Sequence, residues 1–168
     1  MSTTLRRGGR QDLDLLLAFF DEAVEWMVAR GQPTQWGTEP WSTDPRRVSR
    51  VGDLMGSGQV WIAEHDGVPA GALIVSDHPD PHVPPVDEPE RYVRLLITSR
   101  KRAGNGIGSV LLDKARDIAR TDGVELLRVD CWAGGGGKLV AYYERNGFTK
   151  SDTFTVRDWP GQVLSQRV

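Results

Sequence analysis

From Gln11 to Arg30 the apolar residues Leu13, Leu16, Leu17, Phe20, Val24 and Met27 recur at spacings of three and four, which predicts a helix with one buried stripe. Asp12 and Asp14 sit where a helix start favours acids, and Gly31 sits where a helix end favours glycine. A second helix is expected from Pro45 to Met55, capped by Ser42 or Asp44. The polarity then changes period. Gln59 to His65 and Val68 to Ser76 read as strands, and Asp66-Gly67 between them predicts an antiparallel hairpin. Arg91 to Ser99 is strand-like. Gly106 to Thr121 is helical, with Gly108, Leu111, Leu112, Ala115 and Ile118 on one face. A strand from Glu125 (ELLRVDC) follows, so strand, helix and strand form a unit suited to a right-handed parallel crossover. LVAYYERNGF predicts a short helix closed by Gly147, and TFTV and VLSQRV predict a final hairpin turning around Asp158 to Gly161. A short opening strand, TTLRRG, precedes the first helix.

With 168 residues, one domain spanning 1–168 is expected. The 21 basic and 23 acidic residues nearly cancel, so the totals give no reason to expect nucleic acid or an anionic membrane as partner. The N-terminus lacks a signal-like apolar run and the early apolar segment is broken by acids, so no export or spanning segment is expected. A single cysteine, Cys131, excludes an internal disulfide framework and a thiol-rich zinc site, and fits a reducing cytoplasm.

Two loops carry unusual residues. QPTQWGTEPWSTDP holds Trp36 and Trp41, read either as closing the core edge or as lining an acceptor pocket. DHPDPHVPPVDEPE, residues 77–90, has five prolines in fourteen residues and is expected to be a long loop outside the core, on the substrate side.

The chemistry concentrates where a strand (RYVRLLITS) runs through a basic turn (RKR) into a glycine-rich turn (AGNGIGS) that opens a helix. Backbone amides at a helix start lack internal partners and carry the positive end of the helix dipole, so they can receive phosphate oxygens. Gly104, Gly106 and Gly108 have no Cβ to block the approach, and Arg100, Lys101 and Arg102 add positive charge. A dinucleotide-binding turn is the nearest rival, because Asp130 lies 22 residues after Gly108. Against it, Ser109 replaces the third glycine, SRKRA separates strand from first glycine, and the unit lies late in the chain. A P-loop is excluded by the missing Gly-Lys-Ser/Thr ending.

LITSRKRAGNGIGSVLL resembles the cofactor-binding motif of the GCN5-related N-acetyltransferases (GNAT), and AYYERNGF resembles their later motif, an aromatic pair followed three residues on by Gly-Phe. The order of the two motifs is more specific than either alone, and the resemblance covers nearly the whole chain. It implies an α/β (α+β) fold: a mixed, mostly antiparallel central sheet of six to seven strands, splayed between strands 4 and 5 and flanked by about four helices. It implies acetyl-CoA as acyl donor, its pantetheine arm pairing with the backbone of Leu96, Ile97 and Thr98. The diphosphate would lie on Arg102, Ala103, Gly104, Asn105, Gly106, Ile107, Gly108 and Ser109. Tyr143 matches the family's general acid; a phenol with a pKa of about 10 stays protonated until a departing thiolate takes its proton. The implied acceptor is a primary amine of a small molecule or peptide, and a homodimer is allowed, since relatives are often dimers.

The chain departs from the pattern at Ala103, where most relatives have Arg or Gln, and at Gly136, where many have asparagine. The run Gly134 to Gly137 reads either as a flexible linker or as a loop letting cofactor approach the main chain. Relatives often hold a proton-accepting acid on the strand equivalent to Arg91–Ser99, which here has none; Glu90, Glu64 or Asp130 are alternatives, each expected to be a solvated surface acid. His65, His78 and His82 lie too far apart to propose a metal and are expected exposed, and Cys131 is expected buried and unreactive. Two further readings stay open: a non-catalytic acyl-CoA-binding module, and a nicotinamide-dependent oxidoreductase.

Overall fold

A computed structural model describes residues 2–32, 35–102 and 105–168. It contains seven strands and four α-helices in the order β1 (Thr3–Arg7), α1 (Leu13–Ala29), α2 (Pro45–Gly56), β2 (Gln59–His65), β3 (Val68–Ser76), β4 (Glu90–Thr98), α3 (Ile107–Thr121), β5 (Leu126–Trp132), α4 (Lys138–Arg145), β6 (Thr149–Val156) and β7 (Trp159–Arg167). The strands form one mixed sheet in the order β1-β2-β3-β4-β5-β7-β6. The parallel pair is β4 with β5, in register from Glu90↔Leu126 to Val93↔Val129, the first four residues of β4. No helix among the described residues is long and apolar enough to cross a membrane.

The chain forms two compact units. The first comprises residues Met1–Ile74 and Leu95–Leu111. Its core joins Leu16, Leu17, Phe19 and Phe20 of α1, Val51, Leu54 and Met55 of α2, and Val60, Ile62, Ala72, Ile74, Leu95 and Ile97 of the strands. The stripe on α1 is therefore the predicted one, widened by Phe19 and Ala23. A short 3-10 turn over Arg10–Asp12 precedes α1, in which buried Asp12 accepts from the Gly9 amide (3.1 Å) and pairs with Arg6 Nη2 (2.8 Å). Asp44 caps α2 by accepting from the Arg46 amide at 3.0 Å, with Pro45 at the first helical position. At the β2–β3 turn both Asp66 (φ 51°) and Gly67 (φ 81°) are left-handed, the geometry of a type I′ hairpin.

The second unit comprises Val75–Arg94 and Leu112–Val168. β5 pairs antiparallel with β7, and β7 with β6, an edge strand whose register shifts between Lys150 and Thr153. The last hairpin turns at Arg157–Asp158, not at Asp158–Gly161 as expected. Gly161 lies inside β7 because a Cβ there would meet the Phe154 ring at 2.2 Å, so the glycine makes room for an aromatic across the hairpin. The proline-rich loop is also anchored more firmly than its composition suggests. Val83, 3% exposed, packs with Tyr92 and Val163, while Asp80 binds Arg94 (2.5 Å) and Glu88 binds Arg167 (2.7 Å).

Candidate active site

The first unit builds the start of α3. Ser99, buried at the end of β4, donates its amide to Ala70 O at 2.7 Å and its hydroxyl to Glu22 of α1 at 3.0 Å. A 3-10 turn over Arg100–Arg102 follows, and the Val110 amide closes the first bond onto Gly106 O at 3.2 Å. The amides of Ile107 and Gly108 thus precede the first closed turn, where a helix has donors to give away. Gly106 holds a φ of +70° with no described atom within 4 Å of where a Cβ would stand: its backbone conformation demands glycine, and among the described residues the space beside it is open.

Of the residues the sequence assigned to this cradle, Leu96 and Thr98 are half-buried on β4 and Ile97 is buried; Arg102 is half-buried, Asn105 and Ser109 are exposed, and Ile107 and Gly108 are buried in the first turn of α3. Ala103 and Gly104 lie outside the described residues. Arg100 does not stand free beside them. Its guanidinium lies 3.9 Å from the ring centre of Trp26, which also takes Arg30 at 4.0 Å, and burial lowers its pKa with Arg30 adding to the effect.

One residue went unnoticed in the sequence. A Cβ on Gly71 of β3 would lie 2.9 Å from Ile97 O, 3.0 Å from Ile107 and 3.1 Å from Leu111, so this glycine sets how closely the first turns of α3 approach the strands. A glycine inside an apolar strand pattern is the only signal that could have flagged it.

Trp36 and Trp41 close the edge of the first core. Trp41 stacks on Phe20 with ring centres 4.2 Å apart, Trp36 lies 5.0 Å from Phe20, and Arg47 sits 4.6 Å over Trp41. Asp21 fixes this loop by accepting from the Trp41 amide (2.7 Å) and the Ser42 hydroxyl (2.5 Å). Both indoles stay half-exposed.

The second unit holds Tyr143 on α4, only 6% exposed, edge-on to Phe148 (5.7 Å) and Tyr142 (5.5 Å). Burial drives its pKa well above 10, with Cys131, Tyr142 and Asp130 adding to the rise. The phenol is therefore neutral across the whole physiological range and keeps its proton. α4 ends at Gly147 (φ 91°), where the Phe148 amide returns to Tyr143 O at 3.1 Å.

The glycine run before α4 is filled at its start and open at its end: Trp132 lies against Gly134 and Gly135, while a Cβ on Gly136 or Gly137 would meet no described atom within 4 Å. Gly135, Gly136 and Gly137 all adopt left-handed φ, from 64° to 76°, and a Cβ on Gly134 would strike the Trp132 ring at 2.3 Å.

The acids named from the sequence divide sharply. Glu90 is buried, not solvated: Arg128 donates Nε to its Oε1 (2.7 Å) and Nη2 to its Oε2 (3.0 Å) and gives Nη1 to Pro84 O (3.0 Å). Glu64 is held by Arg6 Nε at 3.2 Å. Asp130, half-buried, accepts from the Tyr92 hydroxyl at 2.6 Å. His65, expected exposed, is buried against Thr3 (3.1 Å), whereas His78 and His82 are exposed. The Cys131 thiol is buried and its pKa is pushed up to about 12, which leaves it unreactive.

Comparison with known proteins follows the same outline. No curated protein matches the sequence. Among solved structures, the chain superposes on the PaiA N-acetyltransferase of Thermoplasma acidophilum, solved with coenzyme A, with a TM-score of 0.73 at 17% identity, covering 100% of each chain. It superposes on a ribosomal-protein-alanine N-acetyltransferase of Brucella melitensis (TM-score 0.67, 20% identity, 98% and 99% covered) and on YncA, an acetyltransferase of Salmonella typhimurium bound to acetyl-CoA (0.63, 16%, 99% and 94%). At such identities these likenesses speak for the fold. The profile of the acetyltransferase (GNAT) family matches residues 20–148, more than half of the sequence, and the chain belongs to that family.

Proposed function

We propose that this protein is an N-acetyltransferase that moves an acetyl group from acetyl-CoA to a primary amine of a small molecule or peptide, by direct attack of the amine. Family membership and structural neighbours solved with coenzyme A or acetyl-CoA support the donor. The observation that carries the chemistry is the Tyr143 phenol, buried and held neutral on α4.

The start of α3 fits a diphosphate: Gly106 leaves open space, and the amides of Ile107 and Gly108 stand ahead of the first closed turn. In this reading these amides, with Arg102, Asn105 and Ser109, hold the diphosphate, and the backbone of Leu96, Ile97 and Thr98 pairs with the pantetheine arm. When bound, the cofactor supplies an activated thioester carbonyl. Tyr143 hydrogen-bonds the departing sulfur and gives it a proton as the carbon–sulfur bond breaks, a contribution of roughly 10²–10⁴-fold for a positioned acid. The half-exposed indoles of Trp36 and Trp41 offer an apolar wall for the acceptor. A cytoplasmic setting suits a chain whose one thiol is buried.

Calorimetric titration with CoA and with NAD, followed by thiol release from acetyl-CoA over a panel of amines, tests the reading. Binding of CoA but not NAD, with amine-dependent thiol release, is expected. Binding without release for any amine would leave a non-catalytic acyl-CoA-binding module.

A further inference from the structure

The second unit carries a line of polar side chains on one face of its sheet. The β4–β5 register sets Tyr92 opposite Arg128, and strand alternation puts Glu90, Tyr92 and Arg94 of β4 on the same face as Arg128 and Asp130 of β5. The proline-rich loop supplies Asp80 and His82 beside them. Almost every member is committed. Glu90 and Arg128 are bound to each other through two hydrogen bonds, and Arg94 is bound to Asp80. Asp130 is the exception. Its Oδ2 accepts from Tyr92, which is 1% exposed, and among the described residues no second hydrogen bond or ion pair takes Oδ1.

The geometry points to Asp130 as the proton acceptor for the incoming ammonium group, with Tyr92 as the residue that positions its carboxylate. This inference rests on the acetyltransferase reading above and adds to it the identity of the base. An ammonium group cannot attack a carbonyl until it gives up a proton. Glu90 and Glu64, the other two acids considered from the sequence, are spent on Arg128 and Arg6. Tyr92 fixes the orientation of Asp130 from below, a rigid support because the phenol is buried and also lies under Arg128 (5.3 Å).

Burial raises the Asp130 pKa above the usual carboxylate range. The Tyr92 hydrogen bond, His82 and Arg94 oppose that rise and Asp80 adds to it. Cys131 on the same strand and Tyr143 of α4 in turn feel the charge of Asp130. A carboxylate moved upward is a better match to a proton held by an amine.

The proton count closes. Asp130 takes one proton from the ammonium nitrogen, which then bonds to the acyl carbon while the carbon–sulfur bond breaks. Tyr143 gives its proton to sulfur, the nitrogen loses a second proton that restores Tyr143 through solvent, and Asp130 releases the first to solvent. The products are the acetamide, the free thiol and one proton.

The test compares wild type, Asp130→Asn and Tyr92→Phe by pH–rate profile with acetyl-CoA and four amine probes: L-lysine, spermidine, phenethylamine and a peptide with N-terminal alanine. CoA affinity by calorimetry and the pH dependence of the thermal midpoint of the unliganded proteins are measured alongside. Asp130→Asn is expected to lose about 100-fold or more in kcat near neutrality, to recover as rising pH frees the amine, and to keep CoA affinity. Its thermal midpoint should be no lower than wild type at pH 7, because the amide oxygen can still accept from the Tyr92 hydroxyl. Tyr92→Phe is expected to shift the acidic limb of the profile with a smaller loss. Turnover within threefold of wild type and an unmoved acidic limb in Asp130→Asn would overturn the assignment, as would a wild type that binds CoA yet acetylates none of the probes. Failure of wild type to bind CoA would overturn the underlying reading as well.

Discussion

Two glycine-rich segments each open a helix in this chain, and Gly106 of the first and Gly134 of the second use the missing side chain in opposite ways. Before α3, Gly106 is left-handed and borders open space. Before α4, three left-handed glycines follow Gly134, whose missing side chain is replaced by the Trp132 indole. At Gly106 the turn keeps room for something else; at Gly134 and Gly135 the protein has filled the space itself, and only Gly136 and Gly137 beyond them border open space. Glycine content therefore does not identify an anion cradle, and the occupant of the vacated space does.

The largest effect that sharpens this contrast concerns the helix opened by the filled turn. Tyr143→Phe is expected to lower kcat by about 100-fold or more while CoA affinity stays put, because only the proton donor is lost; unchanged turnover in steady-state kinetics would remove Tyr143 from the chemistry. Next, Gly134→Ala forces a methyl into the Trp132 ring and should cost about 1–3 kcal/mol of stability by denaturant titration, with no direct effect on ligand. Gly106→Val should do the reverse, weakening CoA binding about tenfold or more by calorimetry, with a backbone strain of about 1–2 kcal/mol. If the two variants exchanged phenotypes, the contrast would fail.

The smallest effect is a pH dependence. Asp12 is held below the usual carboxylate range, first by its hydrogen bonds to Arg6 and then by the Gly9 amide, against the opposing effect of burial. A carboxylate lowered in the folded state stabilises above its unfolded pKa of about 3.9, and that contribution fades as pH falls through the folded value. Asp12→Asn should therefore flatten the acid limb of the stability curve, read as thermal midpoint against pH.

Much of this architecture was legible beforehand, where short-range pattern decides. β2 and β3 fall on their expected bounds because alternation and Asp66-Gly67 agree, and the stripe on α1 is buried as its spacing requires. What was not legible depended on partners remote in sequence. Glu90 looked like a surface acid until Arg128 of the neighbouring strand was brought within reach of it, and His65 looked exposed until β1 covered it. The last turn was misplaced because Gly161 serves Phe154 rather than a bend. The glycine run read either as a linker or as a loop for cofactor, and nothing in its own residues announced the indole against Gly134 and Gly135. At the site, motif order pointed to α3 and Tyr143, but the separation of Asp130 from Glu90 and Glu64 needed the pairing of strands.

Gly71 bears on any attempt to rebuild this cradle. The mouth of α3 is seated against a bare stretch of β3, so its fit is encoded far upstream of the turn that would grip a ligand. Grafting residues 100–109 onto another scaffold would carry the amides but not their seating. A methyl group at position 71 would lift the helix from beneath, altering grip without touching a single contact residue.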